Sequence, residues 1–328
     1  MERADLIKTL RKSFGNVVPD HFEEQAPTEF IPSGILSLDY ALGGGFARGN
    51  ISHIWGPDGA GKTTSMIPFC LSVQNHPLIN GMTLYIATEP KVDPSMFFRM
   101  GVDPDSVIFA RTRDVNNVLD GNVVMNMIRE SIGKVDAIVL DSVAGLSPRV
   151  IYDMESEDYA IGKVAALLSY QLPLIANITA ATDTAIVFLN QQRASFNKYG
   201  MDTKPFAGYA LRHWVAMTAR MRFSGWVKSG SGIVGYNAKL TVEKNDFAPP
   251  RREVEWSFYW DNGIDGIVEL VSFAHKLGII TLPGGHVRIG ETKLNHPGEK
   301  SMDDAIARIR EEPELQQLIR DAVLTAGA

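Results

Sequence analysis

Cysteine is almost missing from this 328-residue sequence, which has only Cys70. A single thiol cannot form a disulfide within the chain or supply a cysteine-rich metal site. It lies in the apolar stretch MIPFCLSV, so we expect a small core residue rather than a reactive thiol. This cysteine content suits a reducing compartment, and we expect a cytoplasmic protein.

Long hydrophobic runs and an excess of positive charge are also missing. No apolar stretch approaches the roughly 20 residues that a transmembrane helix needs, and the N-terminus MERADLIKTLRKSF is charged rather than signal-like. We therefore expect no membrane partner. Lys and Arg number 32 against 38 Asp and Glu, a net charge of −6, so any nucleic-acid site has to rest on local positive charge.

Short apolar runs alternate with helix-length segments from about residue 35 onward. The runs NISHIWG, TLYIATE, SVIFAR, DAIVLD and TAIVFLNQQ are typical of a parallel sheet covered on both faces. After residue 217 the runs TARMRF, NAKLTVEKN and REVEWSFYW lie close together and predict an antiparallel extension. The predicted fold class is α/β with a mostly parallel central sheet.

Both ends of the chain depart from this pattern. Residues 2–14 place four apolar side chains on one face of a short helix, which has to dock on the main body or on a neighbouring molecule. The C-terminal segment combines helices, the short strand HVRIG and a capping-box pattern. We predict a helix and linker at 1–34, a core at 35–268 and a small α+β domain at 269–328.

The stretch GPDGAGKT fits the pattern G-x-x-x-x-G-K-[ST], with a strand before it and a helix after it. Backbone N–H groups of such a loop point inward and, with the positive end of the helix, bind polyphosphate. Lys62 is expected to reach the β- and γ-phosphates, and Thr63 to ligate Mg²⁺. The predicted nucleotide-binding residues are Gly56, Pro57, Asp58, Gly59, Ala60, Gly61, Lys62, Thr63 and Thr64.

Polar side chains end three of the predicted strands. Asp141 ends DAIVLD, where a carboxylate can hold Mg²⁺ through water. Glu89 ends TLYIATE at the same sheet edge and is a candidate for orienting an attacking water, although a solvated glutamate is the simpler reading. Asn190 and Gln191 end the third strand, where an amide can sense a γ-phosphate and relay its presence to the following loop.

That following loop, 192–212, concentrates cations and aromatic residues in an acidic protein. Cations track a phosphate backbone and aromatic rings stack on bases, so the segment indicates a single-stranded nucleic-acid site. A solvated surface loop with its aromatics packed on the core is the alternative. The cations are Arg193, Lys198, Lys204 and Arg212, interleaved with Phe196, Tyr199, Phe206 and Tyr209, and with Gly200 and Gly208 as mobile points.

Segments along nearly the whole chain carry an ordered resemblance to one family. PSGILSLDYALGGG, GPDGAGKTT, EPKVDP, VDAIVLDSVAGLSP, FLNQQR, GYAL, DNGID and GEKSMDDAIARIREEPEL are similar to successive segments of the RecA-type homologous recombinases of bacteria and their phages. The likeness runs from about residue 5 to residue 322. It implies a RecA-like P-loop ATPase core, an N-terminal helix that docks on a neighbouring subunit and a small C-terminal domain.

The resemblance also implies an activity: a helical, ATP-dependent filament on single-stranded DNA that pairs it with homologous double-stranded DNA and exchanges strands. ATP or dATP with Mg²⁺ would bind at the subunit interface. Lys62, Thr63 and Asp141 would serve phosphate and metal, while Glu89 would activate water and Gln191 would read the γ-phosphate. Lys244 matches a lysine that reaches the nucleotide of the adjacent subunit, and Asp93 and Trp260 match residues near the base.

Two mobile loops would line the DNA in this reading, at 151–162 and 192–209. Arg193 would touch phosphate, and Phe196 lies where the family places an apolar residue between base triplets. The DNA-binding residues carried over from the family and from the basic segment are Ile161, Gly162, Arg193, Phe196, Lys198, Lys204, Gly208 and Arg212.

The sequence departs from the bacterial pattern at two positions near the nucleotide. Asp246 stands where a second lysine is usual, which weakens the expected γ-phosphate sensing across subunits, and Met96 replaces an aromatic residue beside the adenine. A phage or otherwise divergent recombinase is consistent with both. Two other functions share the phosphate loop: a hexameric RecA-fold helicase or translocase, and an ATP-gated DNA-binding scaffold with slow hydrolysis.

Overall fold

The protein is described from a computed structural model over residues 3–15, 28–112, 119–146, 157–197, 200–296 and 300–327. At 157–161, 194–197, 200–202, 285 and 327 only the backbone is described. The helices are α1 (Arg3–Phe14), α2 (Leu36–Leu42), α3 (Lys62–Gln74), α4 (Pro94–Arg99), α5 (Gly121–Ser131), α6 (Glu157–Ala180), α7 (Gly208–Arg212), α8 (Gly266–Lys276), α9 (Met302–Glu311) and α10 (Pro313–Gly327).

The strands in chain order are β1 (Phe30–Ile31), β2 (Phe46–Ala47), β3 (Ile51–Gly56), β4 (Thr83–Ala87), β5 (Val107–Arg111), β6 (Ala137–Asp141), β7 (Ala185–Asn197), β8 (Gly200–Pro205), β9 (Met217–Ser229), β10 (Gly232–Asn245), β11 (Glu253–Tyr259), β12 (Ile280–Thr281), β13 (Arg288–Ile289) and β14 (Thr292–Lys293). The main sheet has the order β11-β10-β9-β3-β7-β6-β4-β5, with β8 paired to β7. The neighbours from β9 to β5 are parallel, and β10 and β11 extend the sheet antiparallel. The predicted mostly parallel α/β sheet is confirmed.

The register of the parallel strands brings their carboxyl ends to one edge. Gly56 lies beside Gln191, and Ala87 lies beside Asp141. A residue that follows one of these strands therefore lies near the others, because neighbouring parallel strands are only about 4.8 Å apart. This edge carries the polar groups that the sequence placed at strand ends.

Side chains alternate between two apolar clusters, one on each face of the sheet. On β6, Ala137 and Val139 face the cluster that contains α3, whereas Ile138 and Leu140 face the cluster of α5 and α6. Cys70 on α3 is fully buried, and this burial raises the pKa of its thiol to about 12. The cysteine is the core residue that its apolar surroundings predicted.

The C-terminal helices pack against the edge of the core rather than apart from it. Apolar side chains of α8, α9 and α10 join the same cluster as those of α2 and α3. Glu269 on α8 is buried and its Oε1 accepts a hydrogen bond from the backbone N–H of Ser37 on α2, at 2.8 Å. The predicted boundary between 268 and 269 lies inside α8, and the division into domains stays a prediction.

Helix ends at this junction follow their sequence signals. Asp265 caps α8 by accepting from the N–H groups of Ile267 and Val268, and the predicted capping box at Ser301 and Asp304 is present at the start of α9. The predicted C-terminal helix is interrupted between α9 and α10, since the ring and missing N–H of a proline favour a break before it.

A buried carboxyl group lies beneath α2. Asp39 is 9% exposed, and its Oδ1 accepts a hydrogen bond from the backbone N–H of Ser33 at 2.6 Å. Burial raises the pKa of Asp39 to about 7, with a smaller contribution from the negative charge of Glu269 and an opposing one from Arg320.

The two segments predicted as mobile loops contain regular structure. Within 151–162, residues 151–156 lie outside the described part, and 157–162 form the first turns of α6 instead of a loop. Within 192–209, β7 continues to Asn197 and pairs antiparallel with β8, so this segment is a β-hairpin followed by α7. Backbone pairing from Gln192 opposite Pro205 to Asn197 opposite Gly200 forms the two strands despite the glycines in this segment.

Candidate functional site

Two glycines fix the shape of the loop between β3 and α3. Gly61 has φ +98°, a left-handed conformation that disfavours other residues, and a Cβ there would lie 2.9 Å from the hydroxyl of Tyr236. A Cβ at Gly56 would lie 2.0 Å from the carbonyl oxygen of Met221. The spacing of these glycines in the sequence therefore reflects a turn that only glycine allows at both ends.

Lys62 is the first residue of α3 and folds back over this loop. Its Nζ donates hydrogen bonds to the carbonyl oxygens of Gly56 at 2.9 Å and Pro57 at 2.8 Å, and the side chain is 8% exposed. Burial lowers the pKa of Lys62, while Asp58, Asp141 and Glu89 oppose that effect. An ammonium group is thus held in the concave side of the loop, where it can exchange carbonyl partners for phosphate oxygens.

The hydroxyl of Thr63 and the carboxylate of Asp141 form the second element of the site. Thr63 Oγ1 donates to Asp141 Oδ2 at 2.7 Å, and the hydroxyl of Tyr85 donates to the same oxygen at 2.7 Å. Burial raises the pKa of Asp141, and the two hydrogen bonds lower it. The peptide bond between Asp141 and Ser142 is cis.

The donor set of this pair fits Mg²⁺. Hydroxyl and carboxylate oxygens are hard ligands, and Mg²⁺ is commonly held by one or two protein oxygens together with phosphates and water. Within the part of the chain that the structure describes, no group of three His, Cys, Asp or Glu side chains could hold a metal by itself. The residues therefore suit a metal that arrives with a phosphate ligand.

Glu89, two residues beyond the end of β4, collects donors from three directions. Its Oε1 accepts from Ser142 Oγ at 2.6 Å and from Gln191 Nε2 at 2.9 Å, and its Oε2 lies 3.0 Å from Lys91 Nζ. Burial raises the pKa of Glu89, but these hydrogen bonds outweigh burial and the net pKa is lowered. The carboxylate is therefore ionised at neutral pH and oriented at the same edge as Asp141.

Asn190 and Gln191 connect this edge to the hairpin. Asn190 is fully buried, and its Nδ2 donates to the carbonyl oxygen of Phe206 at 2.7 Å. The N–H of Phe206 donates in turn to the carbonyl oxygen of Gln191 at 3.0 Å. Gln192 pairs with Pro205 directly beyond these bonds, so the backbone of Gln191 is joined to the base of the hairpin.

The hairpin brings several of the predicted nucleic-acid residues together. Arg193 lies opposite Lys204 in the β7–β8 register, and its guanidinium carbon lies 5.5 Å from the centre of the Phe206 ring. Phe206 itself is buried, so this one aromatic residue of the segment packs on the core, as the alternative interpretation held. Tyr209 on α7 is 77% exposed.

The structure describes the other residues predicted for the nucleic-acid surface only in part. Gly208 and Arg212 begin and end α7, and Arg212 is exposed. Gly162 lies on α6 and is exposed. The side chains of Ile161 and Phe196 and the whole of Lys198 lie outside the described residues.

Aromatic side chains that the sequence did not single out line the same cleft. The cleft has a volume of about 340 Å³ and is lined by the phosphate loop, Glu89, Asp141 and Lys91 on one side and by Phe223, Trp226, Tyr236 and Trp260 on the other. The Tyr236 and Trp260 ring centres are 5.4 Å apart, and the hydroxyl of Tyr236 lies 2.5 Å from Thr64 Oγ1.

A β-bulge creates this aromatic side of the cleft. Trp226 pairs with Tyr236 and Phe223 pairs with Ala238, so Ser224 is the extra residue in β9. Without the bulge, residues three apart on a strand would face opposite sides of the sheet. The Phe223 and Trp226 rings are instead 4.7 Å apart.

Comparison with known proteins agrees with this arrangement. The profile of the RecA N-terminal domain matches residues 3–265. The chain belongs to the RecA family. Protein RecA of Thermus thermophilus is 33% identical over 323 residues, which cover 97% of this chain and 92% of that protein. Protein RecA of Deinococcus radiodurans is 31% identical over 99% of this chain and 89% of that protein, and that of Aquifex aeolicus is 31% identical over 98% and 92%. These relatives are bacterial and give no support to a phage origin.

Of three residues near the base position of the RecA family, two lie apart from the cleft lining and one belongs to it. Asp93 is exposed and caps α4, with Oδ1 accepting from the N–H of Ser95 at 3.0 Å. Met96, at the position of the usual aromatic, packs against the core cluster. Trp260 lines the cleft as expected, and it is 49% exposed.

Lys244 lies at the opposite edge of the sheet in this RecA-family chain. Its Nζ donates to the carbonyl oxygen of Val215 at 2.6 Å and lies 3.2 Å from Asp246 Oδ2. Residues at the end of β10 pair with the start of β9, away from the phosphate loop of the same chain. Lys244 therefore takes no part in the cleft of its own chain.

Among the described helices, none combines the length and apolar character needed to cross a bilayer.

Proposed function

We propose that this protein is an ATP-dependent DNA recombinase, which forms a helical filament on single-stranded DNA and catalyses homologous pairing and strand exchange. The observation that carries the proposal is the course of β7. The strand places Gln191 against Glu89 in the cleft and, one residue later, begins the hairpin that holds Arg193 and Lys204. Nucleotide and DNA would thus be read by neighbouring residues of one continuous strand.

ATP binding rests on the phosphate loop. Lys62 and the backbone N–H groups of 56–63 would hold the phosphates, and Trp260 would stack on the base. Mg²⁺, held through Thr63 and Asp141, would neutralise charge that develops on the phosphates during transfer. Glu89 would orient the attacking water, because its carboxylate is ionised and its position is fixed by Ser142 and Gln191.

Gln191 would report the γ-phosphate to the DNA site. A γ-phosphate would compete with Glu89 for the hydrogen bond that Gln191 Nε2 donates. The backbone carbonyl of Gln191 accepts a hydrogen bond from the N–H of Phe206 at the end of the hairpin. Arg193, Lys204 and Arg212 would neutralise DNA phosphates and make the affinity salt-dependent. Phe196, Lys198, Ile161, Gly162 and Gly208 complete the proposed DNA surface.

Assembly into a filament would complete the nucleotide site. Lys244, which cannot reach the cleft of its own chain, would contact the nucleotide of the adjacent subunit. Helix α1, none of whose residues is buried, would dock on that neighbour. We also propose three parts of the chain: a docking helix and linker at 1–34, an ATPase core at 35–268 and a small C-terminal domain at 269–328. We propose a cytoplasmic location for the protein.

A strand-exchange assay with homologous and heterologous duplex DNA tests the proposal. We expect joint molecules and displaced strand only with the homologous duplex, only with ATP or dATP and Mg²⁺, together with ATP turnover stimulated by single-stranded DNA. Electron microscopy of the same mixtures should show helical filaments. Closed rings with duplex unwinding would favour the helicase, and filaments with negligible exchange and turnover would favour the scaffold.

A further inference from the structure

Lys91 is a cation at the mouth of the cleft. Its Nζ lies 3.0 Å from Glu89 Oε2 and 3.7 Å from Asp58 Oδ2, and its side chain is 65% exposed. Asp58 belongs to the phosphate loop, and Glu89 lies just beyond the end of β4 at the carboxyl edge of the sheet. The ammonium group therefore bridges two elements of the cleft lining, next to the carboxylate that we propose orients the attacking water.

The charges that face Lys91 favour a mobile cation. Its hydrogen bond to Glu89 raises the pKa of Lys91, and the charges of Asp58 and Asp141 add to this effect, so the group is protonated at neutral pH. Lys62 is the neighbouring cation in the cleft and repels it. An exposed ammonium on a four-carbon stem, between two carboxylates, can change partners at little cost.

The usual source of a second cation is weakened in this chain. Lys244 already pairs with Asp246 and with the carbonyl of Val215. The carboxylate of Asp246 opposes any attraction of that region for phosphate. A triphosphate bound in the cleft would therefore gain less from Lys244 of a neighbouring subunit and more from cations that the same subunit supplies.

We propose that Lys91 is a second phosphate-binding lysine, which contacts the γ-phosphate from within the same subunit and selects triphosphate over diphosphate nucleotides. This inference deepens the proposed function and rests on the nucleotide site assigned there. The terminal phosphoryl group brings negative charge next to Asp58 and Glu89, and Lys91 neutralises it. A diphosphate ends short of this position, so Lys91 keeps its carboxylate partners and adds little to the binding.

Equilibrium titration of the full-length protein with ADP and with a non-hydrolysable ATP analogue, both with Mg²⁺, tests this role. We expect K91M to weaken binding of the triphosphate analogue about tenfold and binding of ADP less than twofold, because only one ligand loses a charge-assisted contact. K91R should retain most of the selectivity, since it keeps the charge. The matched control is K134M, which removes an exposed lysine distant from the cleft.

The outcomes separate this inference from the function on which it depends. Equal weakening of both ligands in K91M, or no change in either, overturns the role of Lys91 and leaves the recombinase proposal standing. Binding of neither nucleotide by the wild-type protein overturns both. Triphosphate selectivity that K91M removes, in a protein with no strand exchange, supports Lys91 and overturns the recombinase. Circular dichroism checks that K91M is folded, as expected for an exposed side chain.

Discussion

Residues 185–189 in the first half of β7 are fully buried between β3 and β6, whereas beyond Gln191 the same strand pairs only with β8. The cleft at the end of the first half is held by tertiary packing and by hydrogen bonds among buried groups. The hairpin is held mainly by pairing within one short segment, with a further hydrogen bond from Arg220 Nη2 on β9 to Thr203 Oγ1 at 2.7 Å. The nucleotide site is therefore preformed, while the proposed DNA surface can change its geometry when its base moves.

The largest effect is expected from a substitution in the preformed nucleotide site. K62A removes the ammonium group that the loop carbonyls hold in place, and nothing else in the loop replaces its charge. We expect nucleotide binding and turnover to fall to background, as measured by titration with a fluorescent nucleotide and by phosphate release. K134A serves as the control, and wild-type turnover in K62A contradicts the assignment of the phosphate loop.

A smaller effect is expected from a substitution that separates nucleotide binding from ATP hydrolysis in the cleft. E89Q keeps the size of the side chain but removes its negative charge, so water is no longer activated. We expect ATP and DNA binding within a few-fold of wild type and a turnover lowered about 10²–10⁴-fold. The control is E130Q on the exposed face of α5. Turnover equal to that of the wild type excludes Glu89 from the reaction.

A third prediction concerns the stability of the folded protein, which depends on the buried carboxyl group of Asp39. The folded pKa of Asp39, about 7, lies above its model-compound value of 3.8, so the folded state binds a proton that the unfolded state releases. The contribution of Asp39 to stability is therefore lost as pH rises from about 4 to about 7. We expect D39N to be more stable than wild type above pH 7, by up to a few kcal/mol since one pKa unit is about 1.4 kcal/mol.

Urea unfolding of both proteins between pH 4 and pH 8 measures this difference. The gain in D39N should grow up to about pH 7, level off above it and disappear near pH 4. A gain that is independent of pH shows that Asp39 is ionised in the folded protein throughout. Variants of the exposed hairpin, such as K204A, should show no such dependence.

The smallest effect is expected from a substitution in the hairpin that forms the proposed DNA surface. F196A removes a ring that we propose to stack on or between bases, and we expect single-stranded DNA affinity to fall by about 1–3 kcal/mol. Fluorescence anisotropy at several salt concentrations measures it, with nucleotide binding as the internal control. Unchanged DNA affinity assigns Phe196 to packing, and an equal loss of nucleotide binding shows that the hairpin and the cleft are one folding unit.

Sequence reasoning identified the polar groups of the cleft because parallel strands share an edge. Glu89 lies just beyond β4, Asp141 ends β6, and Gln191 lies where β7 leaves the main sheet, so the shared edge brings all three together whatever the details of side-chain packing. The phosphate loop was recognisable for a related reason, since its glycines are required by backbone geometry at fixed spacing. The mostly parallel sheet and its antiparallel extension followed from runs of apolar residues, whereas the order of the strands did not.

Other parts of the site depend on information that single residues do not carry. Phe223 and Trp226 reach one face only through a bulge, which a strict alternation pattern hides. Lys91 is an ordinary surface lysine in the sequence, and only the structure shows that it lies close to both Asp58 and Glu89. The hairpin was predicted as a loop that Gly200 and Gly208 keep mobile, whereas backbone pairing between its two strands sets the conformation.

The burial of Cys70 has a practical consequence for following motion in this molecule. Because this thiol is inaccessible and rarely deprotonated, the native protein should not react with maleimide dyes. A cysteine introduced at an exposed position such as Tyr209 would then be the single labelled site, with no need to remove a native residue. A fluorophore there would give a direct optical record of the hairpin as nucleotides are exchanged.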